Sequence, residues 1–262
     1  MRKALAGGSG RISNDCFIIT LLSVAVAILS GCSVKEQPAV HVAVAANFTE
    51  PAKEITQIFE KKTGWKAVLS FGSTGQLFTQ ITQDAPFEVF VAADQTPQRA
   101  LLDGLAVDGT LFTYAIGKIA LYSPSLDLSN GEEVLREGKF EKVAIANPTT
   151  APYGAAAVEV MKSLGLYEKL QPKIVQGNNI AQTFQFVESG NAELGFVALS
   201  QVIGRAPTST WIVPDVHYSP IRQDAVLLKR GADNESAREF IAFLKSPEAL
   251  AVIEKYGYAS SP

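Results

Sequence analysis

The chain reads as an α/β protein whose mostly parallel sheets are flanked by helices. Two observations carry that reading. Short apolar runs of strand length alternate with amphipathic helical patterns along most of the sequence, and such alternation builds parallel sheets covered on both faces. The turns after several of those runs place Ser, Thr or Asn where the next helix begins, the residue types that cap a helix start.

Taken in order, 41–46 (HVAVAA) reads as a strand and 50–62 as an amphipathic helix. In that helix Ile55, Ile58 and Phe59 share a face, Lys61 and Lys62 suit the C-terminal end, and Gly64 stops it. A strand over 65–71 follows, then a helix after Gly75 carrying Leu77, Phe78 and Ile81 on one side. Strands are expected at 87–92, 116–122, 143–146, 173–176 and 194–199, with helices at 97–102, 132–136, 155–164 and 181–188 between them. Two helical runs, 235–244 and 247–256, end the chain. No internal repeat or low-complexity segment is present.

The N-terminus is of another kind. Arg2, Lys3 and Arg11 precede an apolar run over 17–29 that ends in Leu29-Ser30-Gly31-Cys32. A basic start, a short apolar stretch and small residues before a cut site describe an export signal, and the run is too short for a comfortable membrane-spanning helix. The Leu-Ser-Gly-Cys ending resembles a bacterial lipobox, so residues 1–31 are expected to be a lipoprotein signal peptide, Cys32 the lipidated first residue of the mature chain, and 32–39 a tether. The protein is then exported to the periplasmic side and anchored to the membrane through Cys32. Cleavage leaves 20 basic against 25 acidic residues and Cys32 as the one thiol. That composition excludes a disulfide framework, a thiolate metal site and a basic surface for nucleic acid.

In open α/β sheets, ligands collect beyond the C-terminal ends of the strands, where helices begin. Four of those places carry neutral polar residues: Ala46-Asn47-Phe48-Thr49, Ser73-Thr74, Asn147 to Gly154, and Gly177-Asn178-Asn179-Ile180. The first N–H groups of a helix have no intrahelical acceptor, and the helix dipole makes that end positive. One such start is read as a plain cap; four, two from each half of the chain, point to a shared anion site.

Catalytic sets are missing. The two histidines, His41 and His217, are far apart and outside any metal-ligand spacing. Gly72-Ser73-Thr74-Gly75 is neither a G-x-S-x-G elbow nor a phosphate-binding loop with its lysine. A hydrolase using Ser73 or Thr74 would have no histidine base nearby, and Asp94 reads as a helix cap before it reads as an acid. The chain is therefore expected not to be an enzyme and to need no cofactor.

Several short segments together resemble the molybdate-binding proteins of ABC importers: Val44-Ala45-Ala46-Asn47-Phe48, Ser70-Phe71-Gly72-Ser73-Thr74, Val91-Ala92-Ala93-Asp94-Gln95, Asn147-Pro148-Thr149, Pro152-Tyr153-Gly154, Leu194-Gly195-Phe196-Val197 and Lys255-Tyr256-Gly257-Tyr258. The resemblance spans 40–258. It implies a two-lobed periplasmic-binding-protein fold of type 2, with residues 40–117 and 218–262 in one lobe, 118–217 in the other, and an oxyanion in the interlobe cleft. Carried over by position, the ligand contacts fall on Asn47, Thr74 with Ser73 beside it, Tyr153, and the N–H of Ile180. Some family members supply a tyrosine from the strand that here carries Ala198, so a phenol, if used, comes from Tyr153. The resemblance further implies a monomer that takes molybdate or tungstate and docks on a membrane permease. Molybdenum would be bound only as its oxyanion, with no protein ligand to the metal. Sulfate or another tetrahedral oxyanion is the alternative cargo.

Overall fold

The computed structural model describes residues 39–259. The signal peptide, Cys32 and nearly all of the tether lie outside the described residues. Contacts gather Gln37–Pro262 into one unit, built on two five-stranded sheets. The first has the order β2 (Ala67–Gly72), β1 (Val40–Ala45), β3 (Val89–Val91), β10 (Ile221–Leu227), β4 (Phe112–Gly117). The second has the order β7 (Ile174–Gly177), β6 (Val143–Ala146), β8 (Leu194–Ala198), β5 (Ile119–Tyr122), β9 (Thr210–Ile212).

Each sheet is parallel except for one reversed strand. β1 runs parallel to β2 and β3, while β10 is antiparallel to both β3 and β4. In the second sheet β6 is parallel to β7 and β8, and β5 is antiparallel to β8 and β9. The reversal follows from the connections. β4 ends at Gly117 and β5 begins at Ile119, so the chain passes from sheet to sheet through Lys118 alone. It enters the second sheet at the C-terminal ends of that sheet's parallel strands and must run backwards through it. β10 returns to the first sheet in the same way after β9. The expected single strand over 116–122 is thus two strands in two sheets, broken at Gly117-Lys118.

Helices cover both sheets as the periodicity predicts. In α1 (Thr49–Thr63), Ile55 and Phe59 are buried, and Gly64 closes the helix at φ 79° with its N–H on the Glu60 carbonyl; only a glycine adopts that conformation freely. α2 (Thr74–Thr82) buries Leu77, Phe78 and Ile81. Then come α3 (Thr96–Leu102), α4 (Gly131–Glu137), α5 (Pro152–Ser163), α6 (Tyr167–Leu170), α7 (Ile180–Glu188), α8 (Leu199–Val202), α9 (Glu235–Phe243) and α10 (Pro247–Lys255). Among the described residues no helix is long and apolar enough to cross a membrane. The first sheet packs one cluster around Val42, Phe59 and Phe240 and another around Phe78 and Phe90. The largest cluster belongs to the second sheet but takes in Ala45, Ala46 and Ala93 from the first, so the strand ends of the two sheets face each other.

β9 and β10 had no counterpart in the sequence pattern. β10 carries Arg222, Gln223 and Asp224 in its first half, which hides a strand from any apolar count. Gln223 and Asp224 are nonetheless 0% and 1% exposed. The register with β4 shifts between them, leaving Tyr114 as the extra residue of a bulge.

Candidate oxyanion site

The strand ends meet around a small cavity, with about 10 Å³ open to the centre of a water-sized sphere, lined by Ala45, Ala46, Asn47, Gly72, Ser73, Thr74, Ala93, Ala151, Pro152, Tyr153 and Ile180. All five residues singled out from the sequence (Asn47, Ser73, Thr74, Tyr153 and Ile180) are among them. The cavity has room for about one water-sized body, far less than the roughly 300–1,000 Å³ of a pocket that binds an organic ligand. No Lys, Arg, His, Asp or Glu side chain lines it.

Each residue reaches the cavity by a local rule. Ser73 is the N-cap of α2 in extended backbone, and its N–H donates to Gln76 Oε1 at 3.4 Å. Ser73 is 3% exposed, and its hydroxyl has no hydrogen-bond partner among the described residues. Buried hydroxyls are ordinarily paired, so this one faces the cavity with its proton uncommitted. Thr74 Oγ1 accepts the Ala93 N–H at 3.0 Å, which fixes the rotamer and leaves the hydroxyl proton free to donate. Ile180 opens α7 behind Asn179, whose side chain caps the Gln182 N–H at 3.0 Å. The N–H groups of Thr74, Tyr153 and Ile180 lie in the first turns of α2, α5 and α7, where no intrahelical acceptor exists. The α5 start approaches β6 closely because residue 154 is glycine: a Cβ there would stand 2.2 Å from the Ala146 carbonyl oxygen.

The Asn47 amide departs from the expectation of a free side-chain donor, and the Tyr153 hydroxyl keeps to it. The Asn47 amide donates to Gln223 Oε1 and to Tyr258 Oη, both at 2.9 Å, so its side-chain N–H groups are committed within the protein. Nor does Asn47 cap α1; Thr49 Oγ1 turns back onto the Ala46 carbonyl at 2.8 Å. The Tyr153 hydroxyl accepts from Gln223 Nε2 at 3.1 Å and keeps its own proton. Desolvation by burial, with the neighbouring Tyr258 and Tyr114 adding to it, holds the Tyr153 phenol well above the ordinary tyrosine range. It is therefore a neutral donor.

Asp94 lies beside the cavity, not in its lining. Its Oδ1 accepts the Thr96 N–H at 2.8 Å, the capping role, and burial raises its pKa. His41 is exposed at the start of β1, and His217 Nδ1 lies 3.0 Å from Ser163 Oγ. Ala198 is fully buried at the end of β8 and gives its N–H to Gln201 Oε1 at 3.0 Å.

The two sides of the cavity are tied directly. The Gly75 N–H donates to the Thr150 carbonyl at 2.9 Å. Ser200 Oγ donates to the Asn47 carbonyl at 2.8 Å, and Tyr258 Oη lies 3.1 Å from Ser200 Oγ and 2.9 Å from the same carbonyl. With the Gln223–Tyr153 bond, these close the cleft around the cavity.

A family model described as bacterial extracellular solute-binding protein matches residues 40–259. The chain belongs to that family. The chain is 53% identical over 222 residues to the molybdate-binding protein ModA of Rhodobacter capsulatus, covering 84% of this chain and 88% of that one. It is 52% identical over 224 residues to the ModA of Azotobacter vinelandii, covering 84% and 89%. The solved structure of the periplasmic molybdate-binding protein of Azotobacter vinelandii superposes with a TM-score of 0.82 at 39% identity, over 85% of this chain and all of that one. The sulfate-binding protein SubI of Mycobacterium tuberculosis shares the fold alone, with a TM-score of 0.68 at 10% identity over 85% and 86% of the two chains.

Sequence reasoning missed the residues of this solute-binding protein that hold the lining in place: Gln223, Ser200, Tyr258 and Gly117. Gly117 is required by close approach, since a Cβ there would lie 2.1 Å from Tyr153 Oη and 2.4 Å from Gln223 Nε2. No local signal marked Gln223, which sits between Arg222 and Asp224 in a polar stretch.

Proposed function

We propose that this protein captures molybdate, and with it tungstate, on the periplasmic side and delivers it to the membrane permease of an ABC importer. The observation that carries the reading is the lining: hydroxyls and first-turn N–H groups from several strand ends surround a small cavity whose lining has no charged side chain. The identity to molybdate-binding proteins points to the same cargo. A tetrahedral dianion is desolvated between two lobes, 40–117 with 218–262 and 118–217, which hinge at Lys118 and along the return from β9 to β10. It is held by the Ser73 and Thr74 hydroxyls, by the Tyr153 phenol and N–H, and by the N–H groups of Asn47, Thr74 and Ile180. In place of the Asn47 amide, its main-chain N–H serves the ion while the amide serves the frame. Hydrogen bonds from neutral donors to a charged acceptor contribute about 1.5–3 kcal/mol each, so several offset the loss of hydration without a cation. No bond to the ion is made or broken, and no protein atom binds molybdenum directly.

The lining also discriminates. A protonated phosphate asks for a carboxylate acceptor, and the cavity offers none; donors fixed for a larger oxyanion hold sulfate loosely. Thermal denaturation with molybdate, tungstate, sulfate and phosphate tests the reading. Ion at 100 times Kd adds about 2.7 kcal/mol of stability, expected for molybdate and tungstate. No shift with either ion refutes the function, and a larger shift with sulfate reassigns the cargo. The protein acts as a monomer on a lipid anchor at Cys32; radiolabelled palmitate incorporated into wild type but not into Cys32→Ala is the expected result, and equal labelling refutes it.

A further inference from the structure

We propose that Gln223 is a positioning residue that couples the two sides of the ion site, setting Asn47 from one side and Tyr153 from the other with a single carboxamide. The inference rests on the oxyanion-capture reading and adds to it a residue that never touches the ion. Gln223 is fully buried on β10, the strand by which the chain returns to the first sheet, and is absent from the cavity lining. Its Oε1 accepts from Asn47 Nδ2 at 2.9 Å and from Tyr114 Oη, also at 2.9 Å. Its Nε2 donates to Tyr153 Oη at 3.1 Å. Asn47 and Tyr114 belong to the first sheet and its connections, whereas Tyr153 opens α5 over the second.

The geometry gives this bond a closure dependence. Oε1 is satisfied by residues of its own side whether or not the cleft is closed. Nε2 is satisfied from across the cleft, by a hydroxyl that reaches it because Gly117, the last residue before the crossing, has no Cβ to block the approach. Separating the sides leaves a buried amide N–H without its acceptor, which is unfavourable. Closing them restores the bond and, through the same carboxamide, holds the Asn47 side chain beside its ion-facing N–H. Beside Gln223 the register with β4 shifts, leaving Tyr114 as the extra residue between the partners of Gln223 and Asp224.

The test compares wild type, Gln223→Met, Tyr153→Phe, the double variant and Gln223→Glu by titration calorimetry with sodium molybdate, alongside the melting temperature of each without ion. Gln223→Met is expected to weaken binding 10- to 100-fold at unchanged stoichiometry. Tyr153→Phe removes that bond together with the phenol's own bond to the ion, so the double variant should bind less than threefold worse than Tyr153→Phe alone. Gln223→Glu should bind poorly at pH 8 and recover toward wild type at pH 5.5, where a protonated carboxyl donates as the amide does, while wild type stays flat. Simple charge repulsion would give that pH trend too, but it predicts wild-type affinity for Gln223→Met. Affinity of Gln223→Met within threefold of wild type overturns the inference, as do independent, multiplying effects of the two substitutions. If Gln223→Met melts below the assay temperature, Tyr153→Phe and Gln223→Glu decide: wild-type affinity in the first, or no recovery in the second, overturns it. Wild type that gives no heat with molybdate refutes the capture function and this inference together, whereas wild type that binds beside an unaffected Gln223→Met refutes this inference alone.

Discussion

Replacing Gly75 with alanine should separate cleft closure from folding. Gly75 is the second residue of α2, and its N–H meets the Thr150 carbonyl on the opposite side of the cleft at 2.9 Å. It is not among the glycines with positive φ, so alanine fits its backbone. The added Cβ would stand 3.1 Å from Thr150 Cα, 3.2 Å from its carbonyl oxygen and 3.3 Å from its Cβ, where ordinary contact begins at 3.4 Å. Two of those atoms are backbone and cannot swing aside. Overpacking of this kind costs about 1–3 kcal/mol, and here the penalty falls on the closed arrangement alone. With the cleft open the position is an exposed first helical turn, where alanine is as good as glycine or better. The Kd for molybdate should therefore rise about 5- to 150-fold, while the melting temperature without ion holds or rises. Titration calorimetry and a melting curve on the same sample check both halves. An unchanged Kd, or a weaker one accompanied by a lower melting temperature without ion, would refute the reasoning.

Thr74→Val keeps the shape of the side chain but removes its proton and orphans the Ala93 N–H, so affinity should fall about 10- to 150-fold at roughly 1.5–3 kcal/mol for a charge-assisted bond; Thr74→Ser should restore most of it and Asp94→Asn should do little, and calorimetry that ranks Asp94 above Thr74 places the cleft wrongly. Ser73→Ala removes a hydroxyl that has no partner among the described residues, so unfolding in urea without ion should change by less than about 0.5 kcal/mol while molybdate binding weakens; a large loss of stability would make Ser73 a cap and nothing more. Desolvation by burial raises Tyr114 and Tyr153 well above the ordinary 10 and pushes Tyr258 up to about 12. Their protons are held in the folded chain and lost from the unfolded one above pH 10, so this stability is complete below pH 10 and declines as pH rises from there toward 12. Urea midpoints measured from pH 8 to 11 should fall above pH 10, less steeply in Tyr258→Phe, and a flat profile would refute that burial.

The elements legible in the sequence are those whose cue is local. Ile55 and Phe59 on one helix face, the cap at Asn179, and Ser73 and Thr74 after a strand each announce themselves within a few residues. Such starts follow parallel strands and gave the segments of the cavity wall, while the family resemblance gave the residues within them: Asn47, Ser73, Thr74, Tyr153 and Ile180 all reach it. What stayed hidden depends on partners remote in sequence. Gln223 lies 176 residues from Asn47, Tyr258 lies 211 from it and Ser200 lies 153, and no periodicity records such pairings. Asn47 illustrates the difference. Its place at the wall could be read from its position after β1, but the use of its amide could not, because that is decided by a glutamine on the returning strand.

The neutrality of the cavity has a consequence for charge accounting. Its wall offers an ion only hydroxyls and amide N–H groups, and its single phenol is held neutral far above physiological pH. No group of that lining is a cation at neutral pH, so none of them neutralises a dianion that enters. The ion's two negative charges travel with the protein unneutralised, and the loaded and unloaded forms differ by that full charge. A permease receiving the protein meets a cargo with its charge intact.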